Sequence, residues 1–301
     1  MITDPNDNLT DHATYTAGIM VGSAVGVAPE ASLYSSAFDV LPADSDILQS
    51  IQRIATRPTT GAARTRVINN SWGKPGTPNG SSEVTLGIDW LASQRDVLLV
   101  FGGNEEILTG PAGPVPGDNF NGITVAASAK KDGVYRKVSD QNIFDENPVG
   151  ARTFVDLLAP GDDIVVTGLG NASSVQFGTS LAAPHVTGTA ALLHEFGDYQ
   201  VANVGGDHWE FDRAKRHEVM KAVLLNSADK LAGVHGSTRT VVSNDAEGNY
   251  DWTDTAAFSS PSPMGTAIAT VRIFSSGSGI TASALCPRQL PCLSRARDCW
   301  Q

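Results

Sequence analysis

The stretch FGTSLAAPHVTGTAALL, residues 177–193, places one serine between a Gly-Thr pair and a run of small residues. A helix is predicted to begin here, because Gly178 permits a tight turn and the alanines that follow favour helix. A serine before a helix commonly caps it. It can also act as a nucleophile when a base and oxyanion donors lie within reach, and a helix N-terminus favours the negative charge that then develops. Ser180 is therefore a helix cap or a candidate nucleophile.

Around this stretch, apolar segments alternate with segments of helical period. Strands are predicted over 65–72, 96–103 and 121–129 and at the end of 25–38, and helices over 44–57, 84–94 and 217–231. Strands that alternate with helices pair in parallel through right-handed crossovers. We therefore predict an α/β fold, a three-layer sandwich with a mainly parallel central sheet. Residues 197–214 are predicted to form an inserted loop before the last helix.

The length of 301 residues, 41% of them hydrophobic, suits one large domain with a small appendage. We predict a principal domain over 1–235, the end of that domain or the start of an extension over 236–285, and a disordered or spurious tail over 286–301. The tail holds all three cysteines of the chain, Cys286, Cys292 and Cys299. Their spacing, with no histidine nearby, does not match a zinc site.

Charge and hydropathy exclude several partners. The net charge of −11 has no basic patch beside it, which argues against binding to nucleic acid or to an anionic membrane. No run approaches 18 apolar residues, and the first residues, MITDPNDNLTDH, are polar, so neither a membrane span nor a signal peptide is predicted in this sequence. A monomer is expected.

With its flanks, the serine stretch resembles the nucleophile segment of the subtilisin-like serine peptidases. Three further blocks resemble that family in its order: DHATYTAGIMVG (11–22) the catalytic histidine helix, VINNSWG (67–73) the substrate-binding strand, and LLVFGGNEE (98–106) the strand that ends in the oxyanion-hole asparagine. The resemblance covers residues 11–231. It implies a secreted or cell-surface serine endopeptidase that acts on protein or peptide substrates.

The resemblance also implies roles for particular residues. Ser180 is the expected nucleophile, His12 its general base and Asn104 the oxyanion donor. An extended peptide is expected to pair its backbone with one segment, as an added strand, and to place a side chain in a neighbouring pocket. The residues expected to bind substrate are Ser71, Trp72, Gly73, Phe101, Gly102, Gly103 and, at the rim, Glu105.

The chain departs from the family at two places. The usual HGTHVAG reads HATYTAG here, with Ala13, Tyr15 and Thr16 as the changes. The family's triad aspartate ends an apolar strand well upstream of the histidine, whereas Asp4, Asp7 and Asp11 follow no such strand. We therefore expect a fragment that lacks its first strands and the triad aspartate and that has little activity by itself.

No cofactor is expected and no metal site is identified, although structural calcium is compatible with the family. The cluster Asp207, His208, Glu210 and Asp212 is predicted to be a solvated loop. The long calcium-binding loop that many family members carry after the histidine helix is predicted to be absent. His185 is expected to be structural, because five positions along a helix its side chain points away from Ser180.

Two other functions stay open. GTSLA (178–182) approaches the G-x-S-x-G elbow of the α/β-hydrolases, an esterase class, although Ala182 breaks the pattern. That class needs its histidine downstream of the serine, and the candidates are His194, His208, His217 and His235. The altered HATYTAG block instead favours a non-catalytic peptide-binding relative.

Overall fold

A computed structural model describes residues 10–38, 42–57, 64–103, 115–131, 134–137, 155–203, 213, 215–232, 240–241, 267–268, 272–276 and 279–283. The statements below concern these residues. Asn104, Glu105, the 207–212 cluster, His235 and the cysteine tail lie outside them, so the predictions made for those positions stay predictions.

All but one of the described helices begin where the sequence supplies first-turn acids or side-chain caps; the exception is the helix that begins at Thr179. Ser82 accepts a hydrogen bond from Thr85 N at 3.2 Å and starts one helix, and Asp44 and Asp46 lie in the first turn of another. The helices are α1 (Asp11–Val21), α2 (Asp44–Ala55), α3 (Glu83–Arg95), α4 (Thr179–Asn203) and α5 (His217–Ser227).

The strands form one large sheet and two hairpins. They are β1 (Val67–Asn70), β2 (Leu98–Gly102), β3 (Ile123–Lys131), β4 (Val134–Lys137), β5 (Leu157–Pro160), β6 (Ile164–Thr167), β7 (Ser173–Gln176), β8 (Asp229–Ala232), β9 (Thr240–Val241), β10 (Ala267–Ile268), β11 (Arg272–Ser276) and β12 (Gly279–Ser283). The sheet runs β1-β2-β3-β5-β10-β8-β9. Its first four strands are parallel, and β10 continues parallel to β5. β8, β9 and the side strand β4 pair antiparallel.

Helices cover both faces of the parallel strands. Every residue of β2 is buried, and the side chains alternate between the faces. Leu98 and Val100 pack in the cluster that contains the α4 alanines and Met220 of α5. Leu99 and Phe101 pack in the cluster that contains the apolar residues of α2 and α3. The predicted α/β fold with helices on both faces of a parallel sheet is therefore confirmed.

Three sequence predictions need correction. Residues 31–38 carry no strand in the described part of the chain, because no described residue pairs with them in a ladder. The first part of the predicted loop 197–214 is helical, since α4 continues to Asn203. The last predicted helix, 217–231, ends at Ser227, because residues 229–232 pair as β8 with β10.

Candidate active site

Ser180 is the second residue of α4, and a compact turn presents it. Gly178 has a φ of 145°, a conformation that side chains disfavour, and its N–H donates to Gly161 O at 2.8 Å. Gly161 is equally constrained, since a Cβ there would lie 2.7 Å from the Cβ of Ala127 and 2.8 Å from Gly178 O. Sequence analysis missed Gly161, although the Pro-Gly pair at 160–161 marks a turn. Gly161 and Gly178 therefore allow two backbone segments to approach each other closely at the point where α4 begins.

The residues after Ser180 bring the helix down onto the sheet. Ala182 and Ala183 are fully buried, and Leu181 is buried as well. Ala182 and Ala183 belong to the same cluster as Val125 of β3 and Leu157 of β5. Small side chains shorten the distance between helix and sheet.

Ser71 contacts Ser180 directly. The Ser71 hydroxyl donates to Ser180 O at 2.7 Å, and the Ser180 hydroxyl donates weakly to Ser71 O at 3.4 Å. Pro184 explains why Ser180 O can accept this bond. In a helix that oxygen would bond the N–H four residues later, and proline has none. The Ser71 hydroxyl replaces the missing helical donor.

The ends of β1 and β2 complete this side of the site. Ser71, Trp72 and Gly73 follow β1, and Gly102 ends β2. A Cβ on Gly102 would lie 3.4 Å from Thr179 Oγ1 and 3.5 Å from Ser180 N, so this glycine faces the start of α4. Because β1 and β2 are parallel neighbours, their carboxyl ends meet at one edge, where α/β folds place their sites.

Among the other described residues predicted to bind substrate, Phe101 and Gly103 are buried and Trp72 is half-buried. Phe101 is fully buried, and its ring packs edge-on against Trp72 with centroids 6.1 Å apart. Trp72 in turn meets Phe38 edge-on at 5.2 Å and donates its indole N–H to Asn70 Oδ1 at 3.2 Å. Gly103 accepts the Thr179 hydroxyl at 3.3 Å. Trp72 is thus half-buried between two aromatic rings that it meets edge-on, while its neighbour Gly73 is exposed.

His12 lies exposed in the first turn of α1. The Thr10 side chain caps that helix by accepting from Ala13 N at 3.1 Å, and α1 packs against α4 and β6. Two of the residues that depart from the family pattern make contacts that stabilise this helix in the fold. Thr16 is buried and donates its hydroxyl to Ala13 O, and Tyr15 packs in the cluster of Ile19 and Leu181. The block therefore forms a helix that packs beside α4.

The other described histidines occupy different positions. His185 Nδ1 lies 2.8 Å from Leu181 O in the same helix, and burial lowers its pKa. His194 is fourteen residues beyond Ser180, about 21 Å along the axis of α4. His217 Nδ1 lies 3.2 Å from Asp96 Oδ1, just before the start of β2 and at the opposite end of that strand from Gly102. The structure therefore does not bring His194 or His217 to Ser180.

One group of described side chains is compact enough to hold a metal ion: Asp96, His217 and Glu218. Its carboxylates already have cationic partners. Arg64 donates to Asp96 at 2.5 Å, and Arg216 pairs with Glu218 at 2.5 Å. Burial of the Asp96 carboxyl alone would raise its pKa, but hydrogen bonds from His217 and Arg64 outweigh burial and hold the pKa below its usual range. We interpret the group as an ion network that joins α5 to the amino end of β2.

No helix in the described part of the chain has the length and apolar character needed to cross a bilayer.

Two curated relatives are similar over part of the chain. Subtilisin-like serine protease Pen ch 13 of Penicillium rubens is 31% identical over 192 residues, which are 60% of this chain and 42% of the relative. Subtilisin-like protease 1 of Arthroderma otae is 33% identical over 190 residues, 60% of this chain and 35% of the relative. The matches thus span less than half the length of these relatives.

Solved structures share the fold. Sphericase superposes with a TM-score of 0.58 at 21% identity, over 88% of this chain and 79% of that chain. The prenylagaramide maturation protease PagA gives a TM-score of 0.57 at 22% identity, over 76% of each chain. The sequence profile of the subtilase family matches residues 2–275, most of the chain. On this match, the chain belongs to the subtilase family of serine peptidases.

Proposed function

We propose that this protein is a serine endopeptidase that hydrolyses peptide bonds through an acyl-enzyme, with Ser180 as the nucleophile. The observation that carries the proposal is the meeting of Ser180, at the N-terminus of α4, with the carboxyl ends of β1 and β2. The helix N-terminus supplies a partial positive charge where an oxyanion would form.

His12 is the proposed general base. It would take the proton from the Ser180 hydroxyl as that oxygen attacks the scissile carbonyl, and return it to the leaving amine. Packing of α1 against α4 supports this role, because a base must lie within hydrogen-bond reach of the nucleophile. The carboxylate that would orient His12 is not assigned to a residue.

Asn104 is the proposed oxyanion donor, since it lies two residues after the end of β2 in the chain. Asn104→Leu keeps a similar volume and removes the amide, so kcat is expected to fall while KM stays nearly constant. A donor of this kind contributes about a hundred- to thousandfold in turnover, a magnitude measured in this same family. A rise in KM alone would contradict the assignment.

The proposed substrates are extended peptides that pair with Ser71–Gly73, where the chain leaves β1 at its carboxyl end. Support comes from the exposure of Gly73 and from the position of this segment against Ser180. Phe101, Gly102 and Gly103, with Glu105 at the rim, line the proposed pocket for one substrate side chain. A secreted or cell-surface location follows from the family resemblance and stays a prediction.

The direct test is covalent labelling of the full-length protein with a serine-directed phosphonate. The label is expected on Ser180, and Ser180→Ala is expected to lose both label and peptide hydrolysis. The melting temperature should change little, because one half-buried hydroxyl contributes little to packing. Ser173→Ala, an exposed serine on β7, is the matched control and should behave as wild type. Peptide binding without labelling or turnover would instead identify a non-catalytic relative.

A further inference from the structure

One side chain links the helix of His12 to the loop between β6 and β7. Asp11 Oδ1 accepts a hydrogen bond from Leu169 N at 2.8 Å, across 158 positions of sequence. Asp11 is the first residue of α1 and directly precedes His12. A carboxylate in the first turn also faces the partial positive charge of the helix N-terminus, which favours its position.

The loop fits closely against α1 at this point. A Cβ on Gly168 would lie 2.6 Å from Asp11 Oδ1 and 3.0 Å from Tyr15 Cε1, so only glycine allows the approach. Gly168 N donates to Ala172 O at 2.7 Å, and Gly170 and Asn171 both have positive φ angles near 60°. The tight turn therefore presents the Leu169 N–H to the Asp11 carboxylate.

The same hairpin leads into the nucleophile. β7 ends at Gln176, and only residues 177–179 separate it from Ser180. The inner face of the hairpin, with Val166, packs on Ile19 of α1 and Leu181 of α4. On the outer face, the cross-strand pair Val165 and Val175 is 64% and 61% exposed. Packing on one face alone leaves the loop end dependent on its polar contacts.

We propose that Asp11 is a positioning residue for the reaction proposed above, on which this inference rests. Its carboxylate holds the β6–β7 loop, and through the hairpin the start of α4, at a fixed distance from the first turn of α1. General-base catalysis needs His12 within about 2.6–3.2 Å of the serine oxygen. A displacement of about 1 Å can lower turnover on the order of a hundredfold. Asp11 acts through the hairpin and needs no contact with substrate.

The test compares Asp11→Ala with Asp11→Asn in the full-length protein. Asparagine loses the charge but keeps an acceptor oxygen, whereas alanine loses both. Peptide hydrolysis and amide hydrogen exchange at Leu169 are measured on each. Asp11→Ala is expected to lower kcat about tenfold or more with little change in KM, and to speed exchange at Leu169. Asp11→Asn is expected to stay within about threefold of wild type in both, because the hydrogen bond is kept.

The matched control is Asp46→Ala, which removes an exposed acid from the first turn of α2 and should leave kcat unchanged. Equal losses of kcat in Asp11→Ala and Asp11→Asn would overturn the inference, because charge beside His12 would then be the cause. Unchanged exchange at Leu169 in Asp11→Ala would overturn it as well. Failure of the proposed function is distinct: the wild-type protein would then show no hydrolysis, or hydrolysis would survive Ser180→Ala, whatever happens at Leu169.

Discussion

Ser71 donates its hydroxyl to the main-chain oxygen of Ser180, a residue 109 positions later, at 2.7 Å. Pro184 leaves that oxygen without its helical donor, so two local features of the sequence meet in one tertiary hydrogen bond. The bond fixes the first turn of α4 against the end of β1. It therefore joins Ser71–Gly73, the proposed substrate-binding segment, and Ser180, the proposed nucleophile, in one structural unit.

This bond predicts coupling between Ser71 and Pro184. Ser71→Ala is expected to cost about 1–3 kcal/mol of stability, because it leaves a half-buried carbonyl unsatisfied. In Ser71→Ala/Pro184→Ala, the new N–H at position 184 can supply the missing donor, so the double variant should recover on the order of 1 kcal/mol. Urea unfolding of the four proteins of the cycle measures the coupling. A coupling energy of zero would show that Ser71 does not replace the helical donor.

Variants of the histidines test the proposal that His12 is the general base. His12→Ala is expected to lose turnover as fully as Ser180→Ala, since members of a catalytic set act as a unit. His194→Leu and His217→Asn should stay within a few fold, because both side chains lie at the other end of the sheet from Ser180. Steady-state kinetics on folded protein measures the turnover of each variant. An active His12→Ala together with an inactive variant at position 194 or 217 would contradict the proposed general base.

Two adjacent glycines should respond differently to alanine. A Cβ on Gly103 would lie 2.9 Å from Val125 O in the next strand, so Gly103→Ala must displace backbone and is expected to cost about 1–3 kcal/mol. A Cβ on Gly102 meets its neighbours at 3.4–3.5 Å, which needs no displacement. Gly102→Ala should therefore keep the melting temperature but raise KM, because the new methyl group stands beside Ser180. Equal melting temperatures for the two variants would contradict this account.

His194 predicts a pH dependence of stability. The pKa of His194 is lowered from the ordinary 6.5 to about 4, mainly because the side chain is buried. The charge of Arg66 lowers the pKa further. Both ring nitrogens are buried without a hydrogen-bond partner in the described part of the chain. Between pH 6.5 and about 4 the unfolded chain binds a proton at this residue that the folded chain does not. Stability should therefore fall as the pH is lowered through this window, by roughly 3 kcal/mol in total from His194.

His194→Leu removes this contribution and should flatten the stability curve between pH 6.5 and about 4. Part of the slope remains, because burial also lowers the pKa of His185. Asp96 acts in a separate pH range. Its pKa is lowered in the folded chain, so the stability that it contributes is lost only as the pH falls below the ordinary value of 3.8. Chemical denaturation at a series of pH values measures the slope. A slope identical to wild type in His194→Leu would rule out His194 as its source.

Much of the fold could be predicted because it depends on local pattern. The all-apolar run of β2 and the helical period with its Ser82 cap in α3 each specify an element within a few residues. The start of α4 follows in the same way from Gly178 and the alanines after Ser180. These signals also predicted helices on both faces of a parallel sheet, since alternation along the chain restricts the topology.

The tertiary structure alone decided what depends on distant partners. Residues 31–38 have the composition of a strand, but a strand needs a neighbour to pair with, and the described chain supplies none. The bonds of Ser71 to Ser180 and of Asp11 to Leu169 join residues more than a hundred positions apart. The local pattern specifies the element in which each of these side chains lies. Only the packing of α1, β1 and the β6–β7 hairpin around α4 decides which distant group each one meets, because a hydrogen bond forms only within about 3 Å.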